Sequence, residues 1–347
     1  MHKHCRVLVT GAGSGVGQGI IKALRISNLS LTIISADIEP MNAALYRTNE
    51  AILIPRVELD GSLEKISAIL RENQVDVVMV GSEFELVFFS KNKTEIERLS
   101  GALIIVSPFK TVQIADDKWL TAEFLKKNGL PHAESVLPSG VGDAVRIADK
   151  WGYPIVLKAR CGTSSKHVYI VDDKKKLEAS YLNTPSPMLQ KVIDIPSPNL
   201  GSEFTCSIFK TPDRKILGPF MARRTLKGGT SWHVEVANFS EFPRLLLLIG
   251  ETMDVVGSLN IQLMLSKNGP IPFELNARFS GTTAIRAYFG FNEPELALRT
   301  YFYGEDVSNP VIRNGLALRY HEEVFVDDVR VEDLLPGNSK GCVNTWF

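Results

Sequence analysis

Cysteine is scarce in this 347-residue chain: four residues, Cys5, Cys161, Cys206 and Cys342, each far from the next. That spacing offers neither the paired thiols of a zinc module nor the bridges of a small secreted scaffold, and it suits a reducing compartment. An excess of charge is missing too, since 39 Lys plus Arg face 39 Asp plus Glu. Bulk charge gives no footing on a phosphate backbone or an anionic membrane, so neither nucleic acid nor membrane is expected as a partner and phosphate chemistry must be local. Long apolar runs are absent: residues 245–249 fall far short of a membrane span, and the first residues reach Val7-Leu8-Val9 without a signal-type stretch. A cytoplasmic location is expected, with His2 and His4 read as part of a solvated terminus. No Gly-x-x-x-x-Gly-Lys-Ser/Thr occurs, which excludes a P-loop as a route to ATP, and no repeat or low-complexity tract is visible.

What is present is an ordinary folded composition, 44% hydrophobic and 22% charged, on a chain long enough for two or three lobes. Over the first 110 residues, strand-length apolar runs (6–10, 31–36, 76–80, 102–106) alternate with helix-patterned stretches (17–27, 62–72, 84–99). That rhythm belongs to a parallel sheet. The first strand runs into Thr10-Gly11-Ala12-Gly13-Ser14-Gly15-Val16-Gly17, and Asp37 ends the second strand twenty residues later. A nucleotide-binding turn is one reading. The glycine spacing resembles that of short-chain dehydrogenases, which implies a Tyr-x-x-x-Lys pair, yet no tyrosine here has lysine four residues later. An NAD(P)-dependent oxidoreductase is therefore kept as an alternative, and a turn that lets a helix pack tightly on its sheet is preferred.

Near 115–130 the pattern changes to a helix built on Trp119, Ala122, Phe124 and Leu125, closed by Asn128-Gly129 and Pro131. A small α+β lobe is expected next, with strands at 153–158 and 167–171 around the small-residue loop 160–166. Longer strands then gather at 204–209, 216–221, 232–236, 259–265 and 271–275.

Two of these strands read as a hairpin: Asn260-Ile261-Gln262-Leu263-Met264-Leu265 and Ile271-Pro272-Phe273-Glu274-Leu275-Asn276, around a turn centred on Asn268. Symmetrical pairing sets Gln262 opposite Glu274 and Asn260 opposite Asn276. Alternation then puts these four on one face and Ile261, Leu263, Phe273 and Leu275 on the other. One carboxylate among amides is expensive to bury without a partner, and a hard cation such as magnesium would be one. By geometry alone, a solvated polar face fits equally well.

Glu274-Leu275-Asn276-Ala277-Arg278 resembles the Glu-x-Asn-x-Arg signature of the ATP-grasp superfamily, with closest likeness to a single synthetase domain of the carbamoyl phosphate synthetase large subunit. The resemblance covers most of residues 1–310. It implies a mixed α/β and α+β fold: a Rossmann-like parallel-sheet pre-domain (1–115), an ATP-grasp nucleotide lobe (116–191), a magnesium and catalytic lobe (192–320), and a C-terminal extension (321–347). It implies ATP and Mg2+ (or Mn2+) as cofactors, with Gln262, Glu274 and Asn276 on the metal. For the nucleotide it implies Lys118 and Lys158 on the phosphates, Gly162, Thr163 and Ser164 in a mobile loop above them, Gln190, Lys191 and Val192 beside adenine, and Glu203 at the ribose. Arg278 would stabilise the transferred phosphoryl group, and Arg286 would clamp a substrate carboxylate. Of Arg223 and Arg224, one is expected to face the site. The implied activity is an ATP-dependent carboxylate–amine ligase working through an acyl phosphate on small-molecule substrates, with a homodimer left open; a non-catalytic ATP-binding module is the remaining alternative.

Overall fold

The protein is described here in a computed structural model over residues 2–48, 50–162, 167–195, 202–322, 325–327 and 342–344. Five strands, β1 (Cys5–Val9), β2 (Leu31–Asp37), β3 (Glu50–Leu53), β4 (Val77–Met79) and β5 (Leu103–Ile105), form a parallel sheet in the order β3-β2-β1-β4-β5. Helices α1 (Gly15–Arg25), α2 (Ser62–Glu72) and α3 (Glu83–Ser100) lie between its strands in sequence. These strands read as unbroken apolar runs because both faces are covered. Val7, Val9, Val77 and Met79 pack with α1, whereas Leu8 and Val78 pack with α2 and α3.

The glycine-rich turn is filled by the chain itself. A Cβ on Gly17 would meet Gly11 O at 2.3 Å and Ala12 Cα at 2.8 Å, so only glycine lets α1 seat on the end of β1. Asp37 ties the turn down, accepting from the Gly13 and Ile38 N–H groups at 2.8 Å each. The packing reading thus has a concrete basis.

Helices α4 (Phe109–Asp116) and α5 (Lys118–Lys127) follow. Asp117 caps α5, accepting from Trp119 N and Leu120 N. Ala115, Leu125 and Leu130 belong to the core of the large lobe, whereas Asp117 pairs with Arg160 and Lys118 bonds Gly162 O of the small lobe, so α5 bridges the two. Its apolar stripe lies under the large sheet and its first turn meets the small lobe.

The small lobe comprises β6 (Ser135–Val136), α6 (Val141–Trp151), β7 (Ile155–Ala159), β8 (Val168–Val171), α7 (Lys174–Leu182) and β9 (Pro187–Lys191), with sheet order β6-β9-β7-β8. Alternation sorts its faces. Ile155, Leu157, Val171 and Leu189 meet α6 and α7, leaving Val156, Lys158, Ile170 and Gln190 on a cleft.

The large lobe is an antiparallel sheet of β10 (Glu203–Lys210), β11 (Ile216–Lys227), β12 (Thr230–Val236), β13 (Gly257–Ser266), β14 (Gly269–Asn276) and β15 (Gly315–Leu318), in the order β14-β13-β10-β11-β12-β15. Helix α8 (Pro243–Thr252) packs on it beside α4 and α5. Helices α9 (Thr283–Tyr288) and α10 (Glu293–Ala297) contact α1, and one core joins Ile20 and Leu24 to Phe209, Phe220 and Phe291. The parallel sheet and the large lobe therefore share one hydrophobic interior. Beyond residue 322, only the pair β16 (Phe325–Asp327) and β17 (Cys342–Asn344) is described. Among the described residues no helix is long and apolar enough to cross a membrane.

Gly17→Ala should destabilise the protein by about 1–3 kcal/mol through overpacking, although alanine is the better helix former. Gly15→Ala, where the new Cβ meets nothing within 4 Å, should be near neutral. Urea unfolding of both variants tests the contrast; equal effects would mean that the turn tolerates a side chain.

Candidate active site

The hairpin register follows the alternation: Gln262 pairs with Glu274 and Asn260 with Asn276. Nearer the turn the pairing differs from the expectation. Ser266 pairs with Gly269 across a two-residue turn, Lys267 and Asn268, and one extra residue, Phe273, bulges between the Leu263–Pro272 and Gln262–Glu274 pairs. The bulge overturns the placing of Phe273 among the core-facing residues. Pro272 is buried instead, and Phe273 joins Glu274 on the cleft.

That cleft, about 580 Å³, opens between the two antiparallel sheets and reaches the strand ends of the parallel sheet. A continuous run of polar contacts lines it. Arg224 Nε donates to Glu203 Oε1 at 3.0 Å and its Nη2 to Gln262 Oε1 at 2.8 Å. The side-chain amides of Gln262 and Asn276 both donate to Glu274 Oε1 at 3.0 Å. Arg278 Nη2 donates to Asn276 Oδ1 at 3.0 Å and pairs with Glu83, the first residue of α3. Burial and the neighbouring Arg286 pull Arg278 down to about 9, so it stays charged at neutral pH. Burial lifts Asp116 above the usual carboxylate range; Lys118 opposes this, and Asp117 and Glu274 add to it.

Across the cleft, Lys158 is buried and donates to Gln190 Oε1 at 2.8 Å. Burial, then repulsion from Lys118, brings its pKa down to about 7, with Glu274 pulling the other way. Lys118, at the start of α5, donates to Gly162 O at 2.8 Å. Lys191 turns aside to Glu134 at 2.7 Å, while Val192 is exposed along the cleft wall. Thr163 and Ser164, and with them most of the expected loop, lie outside the described residues.

The arrangement of these three sheets is similar to that of solved structures. The biotin carboxylase domain of Hydrogenobacter thermophilus 2-oxoglutarate carboxylase, solved as a dimer with MgADP, ADP and bicarbonate, matches with a TM-score of 0.73 at 16% identity over 100% of this chain and 84% of that one. The fold is ATP-grasp. The family described as PylC-like, N-terminal domain, matches residues 7–104, the first sheet. The carbamoyl phosphate synthase large chain of Helicobacter pylori (strain ATCC 700392 / 26695) is 23% identical over 309 residues, covering 81% of this chain and 27% of that one. Phosphoribosylamine–glycine ligase of Caldanaerobacter subterraneus is 27% identical over 304 residues, covering 79% and 69%. The chain spans about a quarter of the length of the carbamoyl phosphate synthase that it matches.

Within this ATP-grasp fold, the side chains of the Glu-x-Asn-x-Arg segment hold one another beside the cleft, whereas Arg286 departs from its expected place. It is fully buried, donates to both carboxylate oxygens of Glu293 at 3.2 Å, and braces Asn260 and Thr205 from behind. A substrate clamp has to touch substrate, so the assignment of Arg286 as catalytic is corrected to a supporting one. Arg224 is the cleft-facing member of its pair, while Arg223 pairs with Glu235 at the surface. Glu83, Phe84 and Arg319 also line the cleft and were not anticipated, because no motif marks them. Among the described residues, no group of three or more His, Cys, Asp or Glu is arranged to hold a metal. A cation here would depend on one carboxylate, the two amides and oxygens brought by a ligand. The amide oxygens of Gln262 and Asn276 accept here from Arg224 and Arg278, so they could join Glu274 on a magnesium ion, which keeps waters and substrate phosphates in its shell, only by giving up those hydrogen bonds.

Arg286→Met should cost about 3–5 kcal/mol, because Glu293 would be left buried and uncompensated; chemical denaturation reads this, and a loss under 1 kcal/mol would return Arg286 to the ligand-facing role. Lys158 makes a pH signature. The folded protein gives up its proton near pH 7, the unfolded chain only near 10.4, so the unfolded state binds more protons between the two. The wild type should therefore gain stability relative to Lys158→Met as pH rises from 7 to 9, by up to about 1.4 kcal/mol per unit. A flat difference across pH 6–9 would contradict the buried-lysine assignment.

Proposed function

We propose that the chain is an ATP-dependent carboxylate–amine ligase. A substrate carboxylate oxygen attacks the γ-phosphorus of ATP and ADP leaves; an amine then attacks the acyl carbon, inorganic phosphate departs, and the amine proton is lost to leave an amide. The observation that carries this reading is the order of charge along the cleft: Lys118 and Lys158 on one wall, and Glu274, its two amides and Arg278 on the other.

Each group has a physical task. Lys158, poised near neutrality by burial, gains its proton when a polyphosphate arrives, and Lys118 adds a second positive charge. Gln190, Lys191 and Val192 border the adenine, and Glu203 takes the ribose hydroxyls with the oxygen that Arg224 leaves open. Arg278, fixed by Asn276 and Glu83, stabilises charge on the phosphoryl group in flight without having to reorganise. Gln262, Glu274 and Asn276 would hold Mg2+ (or Mn2+), which when bound offsets phosphate charge. The similar 2-oxoglutarate carboxylase domain, solved with MgADP and bicarbonate, supports both ligands. Free thiols at Cys5, Cys161 and Cys206 fit a cytoplasmic setting. The reacting partners are small molecules, and a homodimer is compatible with the dimer of that neighbour.

ADP with magnesium, at about a hundredfold excess over its dissociation constant, should stabilise the protein by about 2.7 kcal/mol, a melting shift of several degrees. Glu274→Gln should abolish the magnesium-dependent part of that shift and ATP turnover while leaving the free protein's melting temperature within about 2 °C. A larger shift with NAD than with ADP, or phosphate release unaltered in Glu274→Gln, would sink the reading.

A further inference from the structure

A second cavity, about 390 Å³, lies on the flank of α1 and shares no lining residue with the cleft. Its volume is that of a small-molecule site. Gln18, Lys22 and Arg25 share one face of α1, because they are spaced four and three residues apart. A further wall is the short 3-10 helix Ala43–Tyr46, with Arg47 just beyond it. Glu322 reaches the same cavity from the other end of the chain.

Charge in this cavity does not balance. Lys22, Arg25 and Arg47 face one carboxylate, Glu322, and Arg47 already holds it at 3.0 Å. Among the described residues, no side chain pairs with Lys22 or Arg25, and the Tyr46 hydroxyl has no hydrogen-bond partner. Burial, Arg47 and Arg319 lower the pKa of Lys22 while Glu322 opposes them, so repulsion among the cations outweighs the one anion. Unpaired cations on a convex surface are simply hydrated. Here they converge on one concavity, with two positive charges left over and a phenol beside them, which is a donor set for an oxyanion.

We propose that this cavity is a second ligand site, separate from the cleft, for a small molecule bearing a doubly charged oxyanion, a phosphate ester or a dicarboxylate. A phosphate monoester carries about −1.5 to −2 charge at neutral pH, which matches the two cations left over. Lys22 and Arg25 bind the group from α1, and Tyr46 donates its hydroxyl. Glu322 is an internal competitor: it holds Arg47 in the structure and gives it up to the dianion. The inference goes beyond the ligase reading and does not depend on it.

The test titrates inorganic phosphate, malonate and acetate separately into the whole chain by calorimetry at about pH 8, with and without saturating ADP and magnesium. At least one dianion should bind under both conditions, and acetate about tenfold more weakly. Lys22→Gln and Arg25→Gln, both at exposed positions, should each weaken the dianion about tenfold, the scale of a lost charged hydrogen bond. Lys65→Gln removes the same charge from an exposed position of α2 and should leave binding unchanged. Glu322→Gln should tighten it about threefold, the scale of a partly exposed ion pair. Preference for phosphate assigns a phosphate ester, and preference for malonate a dicarboxylate. The proposal is overturned if neither dianion binds, or if binding vanishes with ADP and so belongs to the cleft. It is equally overturned if acetate binds as well as the dianions, if Lys22→Gln and Arg25→Gln act no differently from Lys65→Gln, or if Glu322→Gln fails to tighten binding.

Discussion

Charge buried at the junction of three sheets has to be matched locally, and the run from Glu203 through Arg224, Gln262, Glu274, Asn276 and Arg278 to Glu83 is how this protein does it. Each group is answered by the next, so none bears the several kcal/mol of an isolated buried ion. The run crosses from β10 and β11 through the β13–β14 hairpin to α3, linking the large lobe to the parallel sheet. Because Glu274 Oε1 is met by two neutral amides, its charge is the least compensated of the series. A cation or a ligand's cationic group would find it there without breaking an ion pair.

The supports behind this run are buried. Arg286, Glu293, Asn260 and Thr205 form a second network one layer deeper, with Ser207 and Ser258 on the same carboxylate. It fixes Asn260, the one member of the network that lines the cleft. The small lobe has an independent core around Leu157, Leu177 and Leu189, and offers Lys158 from the opposite wall. Positive charge on one lobe thus faces a carboxylate on the other across the cleft.

Much of this was legible because strand alternation is a strict period of two. Pairing of Gln262 with Glu274 and Asn260 with Asn276 followed from residue spacing, whereas the common face of Lys158 and Gln190 comes from the β7–β9 register, which sets Gln190 against Val156. The misplacing of Phe273 has a local cause: a single bulged residue shifts register by one and reverses its side chain. Arg286 misled for another reason. An arginine after a functional segment looks like a ligand residue in sequence, and only the approach of Glu293 from α10 shows that its charge is already matched.

Sequence alone determined the parallel-sheet rhythm, the tight glycine turn, the hairpin and the identity of the Glu-x-Asn-x-Arg segment, since each depends on residues close in the chain or on periodic burial. Tertiary structure decided which charges are spent. Glu83, Arg224, Glu274 and Arg319 stand 45 to 236 residues apart in pairs, and whether a buried charge is free for a ligand depends on what other elements bring within about 4 Å of it, where electrostatic matching in a low-dielectric interior is settled.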